Sequence, residues 1–208
     1  MSANSFGHIF KITSFGESHG SALGVIIEGC PAGVEFDEEI LNDMLERRRP
    51  GRNANVSARN EGDKPEVLSG VFEGKTLGTP ISVIIRNEDA KSEDYDAIKA
   101  QPRSGHADDV WKNKFGHSDH RGGGRSSGRE TVARVIGGAF AKMMLKQAVS
   151  TIEVNVFPRQ IGPIVLKDSD FNFDFQLLED KQTEVDEFLA QVKAEGQSYG
   201  GVGEAWVE

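Results

Sequence analysis

The sequence predicts a mixed α/β (α+β) fold. Short β-branched runs and alternating apolar residues predict six strands, and three other segments repeat apolar residues with helical spacing. The chain has 208 residues, of which 37% are hydrophobic, so it can bury a core. It is long enough for one good-sized domain or two very small ones.

The first half of the chain is predicted to consist mainly of strands around one helix. Asp37 can cap this helix, the apolar residues from Ile40 to Leu45 share one face of it, and Pro50 would end it. The predicted strands are residues 8–13, 23–28, 67–72 and 81–86.

The longest helix is predicted at residues 130–150, where apolar side chains recur with helical spacing. We expect it to be a buried central helix in which Gly137 and Gly138 permit the close approach of a neighbour. The preceding residues 87–130 have little apolar periodicity but are rich in His, Arg and Gly. A connection of that length inside a compact domain is usually functional or disordered, and its aromatic residues favour function.

The last part of the chain alternates strand, helix and strand. The strands are predicted at residues 152–157 and 202–207, and Thr183 is the predicted cap of a helix that Gly196 ends. The final strand runs to the last residues without a turn or a polar tail. We therefore expect a chain that is truncated.

The composition argues against several classes of protein. Cys30 is the single cysteine, which excludes an intramolecular disulfide framework and fits a reducing, cytoplasmic setting. No segment approaches the roughly 18 apolar residues of a membrane-spanning helix. The net charge of -9 disfavours indiscriminate nucleic-acid binding, so any anion site must be local. His117 and His120 superficially resemble a metal pair, but no further ligands accompany them, and we expect them on a solvated surface.

The motif FGESHG, residues 15–20, directly follows a predicted strand. Its glycines allow a tight backbone path that can present Ser18 and His19 at the strand end. The alternative is an ordinary turn between strands with a solvent-exposed histidine. A nucleophilic Ser–His pair is disfavoured because adjacent residues rarely place the hydroxyl against the imidazole nitrogen.

Four arginines cluster where the first predicted helix ends: Arg47, Arg48, Arg49 and Arg52. Three consecutive helical residues cannot all point the same way, so at least one should face inward or toward a cleft. Arginine forks suit phosphate and carboxylate, but positive charge also stabilises the negative end of a helix dipole. An anion site and a favourable helix end both remain open.

The segment GGGRSSGRE, residues 122–130, runs directly into the longest predicted helix. Backbone N–H groups at a helix start, with serine hydroxyls and an arginine beside them, favour a phosphate-bearing ligand. The same residues suit a capping box in which Ser126 or Ser127 is the cap and Glu130 supplies the reciprocal bond. The two interpretations are compatible.

Taken together, these motifs resemble the chorismate synthase family over the whole chain. Five stretches occur in the order of the family and with similar spacing. They are FGESHGSALGVIIEGCPAG from Phe15, ERRRPGR from Glu46, VLSGVFEGKTLGTPISVIIRN from Val67, RSGHAD from Arg103 and GGGRSSGRETVARVIGGAFA from Gly122.

The resemblance implies a fold, a reaction and a cofactor. Residues 1–208 would be the amino-terminal part of a β-α-β sandwich, with helices layered between antiparallel sheets, in a homotetramer. The family removes phosphate and a hydrogen from 5-enolpyruvylshikimate 3-phosphate by trans-1,4-elimination, which gives chorismate. Reduced FMN is required, and NADPH would serve to reduce the flavin.

The family motifs also assign roles to individual residues. His106 would protonate the departing phosphate and His19 would hold a proton near N1 of the reduced flavin, roles that suit imidazole near neutral pH. Arg48 and Arg103 would bind the anion of the substrate or of NADP. The segment that matches a flavin-contacting site consists of Arg125, Ser126 and Ser127, and Arg125 also matches an arginine of the substrate site.

Two departures from the family pattern affect the expected activity. A second family arginine falls at Ala54, for which Arg52 is the nearest substitute. Family chains are also much longer, and their later part supplies further flavin contacts and an aspartate for proton abstraction. We therefore expect the 208-residue chain alone to be inactive. The alternative is a non-catalytic remnant that binds an anion or a partner protein; an RNA-binding Gly/Arg loop is disfavoured by the acidic charge.

Overall fold

The computed structural model describes residues 4–49, 62–87 and 108–208. The described residues divide into two compact units, one that ends at Ala148 and one formed by Val149–Glu208. Each unit combines helix with antiparallel sheet, so the predicted α+β class is confirmed. Within these three ranges, no helix is long and apolar enough to cross a membrane.

The first unit contains two antiparallel sheets. Its strands are β1 (Ser5–Phe6), β2 (Lys11–Gly16), β3 (Ala22–Glu28), β4 (Ala32–Glu35), β5 (Pro65–Ser69), β6 (Val71–Phe72), β7 (Lys75–Leu77) and β8 (Ile81–Arg86). The larger sheet has the order β1-β2-β3-β8-β5, and the smaller has the order β4-β7-β6. The strand predicted at residues 8–13 begins later because residues 7–10 turn back from β1. The strand predicted at 67–72 is broken at Gly70, which has a φ of 83°.

The helices of this unit are α1 (Glu38–Arg48), α2 (Asp108–Phe115) and α3 (Thr131–Ala148). Helix α3 packs against β2, β3, β4 and α1, and the side chains of Val132, Ile136 and Phe140 are completely buried. The prediction of a buried central helix is therefore confirmed. Gly137 permits the predicted close approach, since a Cβ atom there would lie 2.7 Å from Cγ2 of Ile12.

The ends of these helices follow the sequence signals only in part. Asp37 is the cap of α1, and its Oδ1 accepts a hydrogen bond from the N–H of Ile40 at 3.2 Å. The predicted stop at Pro50 lies outside the described residues, and α1 ends at Arg48. Helix α2 lies within a stretch where the sequence indicated little apolar periodicity.

The second unit consists of β9 (Val154–Ile161), β10 (Ile164–Val165), α4 (Glu179–Ala194) and β11 (Gly201–Val207), with the sheet order β10-β9-β11. The predicted final strand is confirmed. The prediction that Thr183 caps α4 is wrong, because the helix begins at Glu179 and the Thr183 hydroxyl donates to the carbonyl of Glu179 instead. Gly196 follows the helix end with a φ of 65°, as predicted.

Candidate functional site

The turn between β2 and β3, residues 17–20, buries the first predicted histidine. We call it the histidine turn. Gly16 leads into it with a φ of 86°, and a Cβ atom there would lie 2.1 Å from the carbonyl oxygen of Ala22, so only glycine fits. Ser18 is completely buried and His19 is 7% exposed. The alternative of a solvent-exposed histidine is therefore wrong.

Asn87, at the end of β8, holds both ends of the histidine turn. Its side-chain amide nitrogen donates to the carbonyl oxygen of Glu17 at 3.0 Å and to that of Gly20 at 2.8 Å. Its backbone N–H donates to the carbonyl oxygen of Ser21 at 3.2 Å. The turn that carries His19 is thus attached to a neighbouring strand of the sheet rather than left as an open loop.

Arg48 is an inward-facing member of the arginine cluster. Its Nη1 donates to Oδ2 of Asp63 at 2.7 Å, and Nη1 of Arg129 donates to Oδ1 of the same carboxylate at 2.6 Å. The side chain of Asp63 is only 2% exposed, whereas Arg47 is exposed. The prediction that at least one arginine faces inward is confirmed. We call Arg48, Asp63 and Arg129 the arginine clamp.

The arginine clamp and the histidine turn belong to one hydrogen-bond network. Nε of Arg129 donates to Oδ1 of Asn87 at 3.0 Å. The same asparagine side chain therefore accepts from the clamp and donates to the turn. Sequence reasoning missed Asp63, Asn87 and Arg129 as a group, and the only local signal was the position of Asp63 just before β5 and of Asn87 just after β8.

Arg125 joins the glycine-rich segment to the end of β2. It lies in a 3₁₀ helix, Arg121–Ser126, and its Nη1 donates to the carbonyl oxygen of Gly16 at 2.6 Å. Its Nη2 donates to Ser14 Oγ at 2.7 Å and to Glu130 Oε1 at 2.6 Å. These bonds commit most of the guanidinium to the protein. They place the glycine-rich turn against the strand that leads into the histidine turn.

The predicted capping box is correct for one member and wrong for the other. Oγ of Ser127 caps a second 3₁₀ helix, Gly128–Glu130, by accepting from the N–H of Arg129 at 3.3 Å. Glu130 does not return the bond, because its carboxylate accepts from Ser14, Arg125 and Arg134. Burial raises the pKa of Glu130, but the hydrogen bonds from Arg134 and Ser14 and the charge of Arg125 outweigh it and hold the pKa below its usual range.

The turn around Ser126 and Ser127 has the composition of a phosphate-binding segment. Gly123 and Gly124 have positive φ angles of 82° and 50°. A Cβ atom at Gly128 would meet nothing within 4 Å, so the backbone there borders open space. Glycine-rich backbone with serine hydroxyls next to a helix start suits the phosphate and hydroxyl groups of a nucleotide.

The two predicted surface histidines lie at the beginning of this turn. His117 is exposed and His120 is partly buried. Between them, the Asp119 carboxylate binds Arg121 with both oxygens, and the hydrogen bond from Arg121 lowers the pKa of Asp119. In the part of the chain that the structure describes, no group of three or more potential metal ligands occurs.

Three of the predicted site residues, His106, Arg103 and Arg52, lie outside the described residues. The described ones, His19, Arg48, Arg125, Ser126 and Ser127, all belong to the first unit. The network described above connects the turn that carries His19 to Arg48. Their roles toward a ligand remain predictions.

Comparison with known proteins identifies one family. The family model described as chorismate synthase matches residues 10–208. A chorismate synthase of Bdellovibrio bacteriovorus is 54% identical over the whole chain, which covers 64% of that relative. A chorismate synthase of Bacteroides fragilis is 45% identical over 96% of this chain and 58% of the relative.

A solved structure gives the same result. A crystal structure of a chorismate synthase matches with a TM-score of 0.69 and 30% identity, and covers 96% of this chain and 57% of that one. The chain thus spans 58% to 64% of the length of the first two relatives.

Proposed function

The chain belongs to the chorismate synthase family, and from this premise we propose that it forms the substrate-anchoring part of a carbon–oxygen lyase. The proposed reaction is the trans-1,4-elimination of phosphate from 5-enolpyruvylshikimate 3-phosphate, which gives chorismate in the shikimate pathway of aromatic amino acid biosynthesis. One observation carries the proposal: a hydrogen-bond network joins the arginine clamp to the buried turn of His19.

The arginine clamp suits an anionic substrate. Two guanidinium groups share one carboxylate, so the three side chains together retain a positive charge. Each arginine has several N–H donors and can hold Asp63 and an anion at the same time. Arg48, with Arg103 from outside the described residues, would bind the substrate and stabilise the negative charge that develops on the departing phosphate.

The two predicted histidines would handle protons. We propose that His106 protonates the departing phosphate and that His19 holds a proton near the cofactor. Burial and the hydrogen bonds of Asn87 to the turn limit the orientations of His19, which a proton donor or acceptor at a defined atom requires.

The glycine-rich turn fits the proposed cofactor, FMN. Ser126, Ser127 and the surrounding backbone would hold it, and reduced FMN, when bound, would supply a transient electron to the substrate. The guanidinium of Arg125 is committed to Gly16, Ser14 and Glu130. We therefore propose that Arg125 contributes mainly by placing this turn. NADPH as the source of flavin reduction and a homotetramer remain predictions from the resemblance, and a cytoplasmic setting remains a prediction from the single cysteine.

A chimera tests the proposed function. In it, the present sequence replaces the matching stretch of the Bdellovibrio bacteriovorus relative, which is 54% identical. We expect this chimera to release phosphate from 5-enolpyruvylshikimate 3-phosphate under anaerobic conditions with reduced FMN. We expect the 208-residue chain alone to show no turnover under the same conditions, because residues acting as one catalytic unit lose orders of magnitude when some are missing.

The outcome separates the lyase from the non-catalytic alternative. A folded chimera that binds the substrate but releases no phosphate would favour an anion-binding remnant over a lyase. Turnover by the 208-residue chain at the rate of the chimera would show that the residues assigned here are sufficient for the chemistry.

A further inference from the structure

We propose that Asp63 is a positioning residue that holds Arg48 and Arg129 side by side as an anion clamp in register with the histidine turn. The inference rests on the proposed function. Asp63 is not assigned by any of the five family-like motifs, since it lies between the second and the third. It would act through the two arginines without contacting the substrate.

The geometry of the Asp63 carboxylate supports this role. Each of its oxygens accepts from a different arginine, Oδ2 from Arg48 at 2.7 Å and Oδ1 from Arg129 at 2.6 Å. The exposed fractions of the three side chains are 2% for Asp63, 15% for Arg48 and 4% for Arg129. Two guanidinium groups with so little solvent would repel one another strongly without an anion between them.

The arginine clamp is also connected to the histidine turn by hydrogen bonds. Arg129 donates from Nη1 to Asp63 and from Nε to Asn87. The side chain of Asn87 in turn donates to both ends of the turn that carries His19. The orientation of the clamp is therefore linked to the position of the histidine. Arg48 is further oriented by a bond from its Nε to the Thr131 hydroxyl at 3.3 Å.

The backbone of Asp63 decides which substitution is informative. Its φ is 42°, in the left-handed region that Asn and Asp tolerate better than other side chains except glycine. Asp63→Asn therefore keeps both the size of the side chain and the backbone conformation. It removes one negative charge and turns one acceptor into a donor that faces an arginine.

Glu66→Gln is the matched control. Glu66 binds Arg86 through both oxygens, at 2.7 and 3.2 Å, and lines the same cavity of about 260 Å³ as Asp63. Glu66→Gln removes one negative charge, as Asp63→Asn does, at a neighbouring position. If charge alone governs anion binding, both variants should bind an anion as tightly as the parent chain or more tightly.

Inorganic phosphate is the probe, and its affinity for the 208-residue chain is measured by calorimetric titration at constant ionic strength. If Asp63 positions the arginines, its replacement should weaken phosphate binding, whereas the change in net charge alone would strengthen it. Asp63→Asn should therefore bind phosphate about tenfold more weakly, the loss expected for one charge-assisted contact. Glu66→Gln should stay within about twofold of the parent chain, as an exposed pair should. In the double variant Asp63→Asn/Arg48→Ala, the loss of phosphate affinity should be smaller than the sum of the two single losses, because Asp63 acts in part through Arg48.

Several results would overturn the inference. These are unchanged or tighter phosphate binding by Asp63→Asn, additive losses in the double variant, and no phosphate binding by the parent chain. If Asp63→Asn does not fold, Asp63→Glu keeps the charge but displaces both oxygens, and unchanged phosphate affinity in it also refutes a positioning role. Turnover of the chimera reports the proposed function independently, so the two ideas can fail separately.

Discussion

The contact between α3 and β2 at Gly137 can be tested with a single added methyl group. A Cβ atom at this position would lie 2.7 Å from Cγ2 and 3.3 Å from Cδ1 of Ile12, whereas carbon atoms in favourable contact are about 3.5–4.0 Å apart. The Ile12 side chain cannot easily move away from the added methyl group. Its strand is paired with β1 on one side and with β3 on the other, and a β-branched side chain has few alternative rotamers.

Two opposing contributions determine whether Gly137→Ala raises or lowers the free energy of unfolding. Alanine is favoured over glycine in a helix interior by about 0.8–1 kcal/mol. Inserting a methyl group into a packed core costs about 1–3 kcal/mol. We expect the clash with Ile12 to win, with a net loss of about 1 kcal/mol in the free energy of unfolding.

Gly138→Ala is the control one residue later in the same helix. Its Cβ atom would lie 3.5 Å from Cε of Met44, an ordinary contact with the end of a flexible side chain. Only the helix-propensity gain remains, so we expect this variant to be more stable than the parent chain by about 0.5–1 kcal/mol.

Urea unfolding followed by far-ultraviolet circular dichroism measures both variants against the parent chain. Both substitutions replace glycine by alanine in the same helix. If one lowers and the other raises the free energy of unfolding, the difference therefore reports the contact with Ile12. If Gly137→Ala were as stable as Gly138→Ala, the close packing of α3 on the strand that leads into the histidine turn would be refuted.

Three further predictions concern the site. In the active chimera, Arg48→Ala should lower kcat/KM by about ten- to a hundredfold because a charge-assisted contact to phosphate is lost, while His120→Ala should change it little; equal losses would contradict the surface assignment of His120. Because the folded-state pKa of Glu130 lies below its ordinary value, its ionisation stabilises the fold above that ordinary value and the contribution is lost as the pH falls through the folded-state pKa. Urea unfolding over this acid range should therefore show a smaller loss of stability in Glu130→Gln than in the parent chain, and parallel curves would contradict the ion-pair explanation. Finally, His106→Ala in the chimera should slow single-turnover phosphate release by roughly a hundred- to ten-thousandfold, whereas His19→Ala should shift the absorbance titration of bound reduced flavin; an unchanged rate or titration would remove the role assigned to that histidine.

Elements that depend on nearby residues were predictable from the sequence. The strand predicted at residues 81–86 coincides with β8, because its alternate side chains Ile81, Val83 and Ile85 are completely buried. The Asp37 cap of α1 was also predictable, since it requires only a carboxylate three residues before an N–H donor. Both signals are contained in a few consecutive residues.

Predictions failed where a residue found a partner that the local pattern did not indicate. Thr183 is of a residue type that often caps helices, but the helix begins at Glu179. The Thr183 hydroxyl instead donates to the carbonyl oxygen of Glu179 within the helix. Glu130 has the spacing of a capping box, but Ser14, Arg125 and Arg134 occupy its carboxylate. In both cases the competing partner satisfies the side chain without the predicted geometry.

The family, the α+β class, most strands and the candidate site residues His19, Arg48 and the serine-containing turn could be predicted from the amino-acid sequence. These follow from motifs and periodicities that are contained in short stretches of chain. The three-dimensional structure was needed to show that His19 is buried, that Arg125 faces the protein and that Asp63 joins two arginines. Asp63 is 15 residues from Arg48 and 66 from Arg129, and such ion pairs form only after separate segments have packed and excluded water.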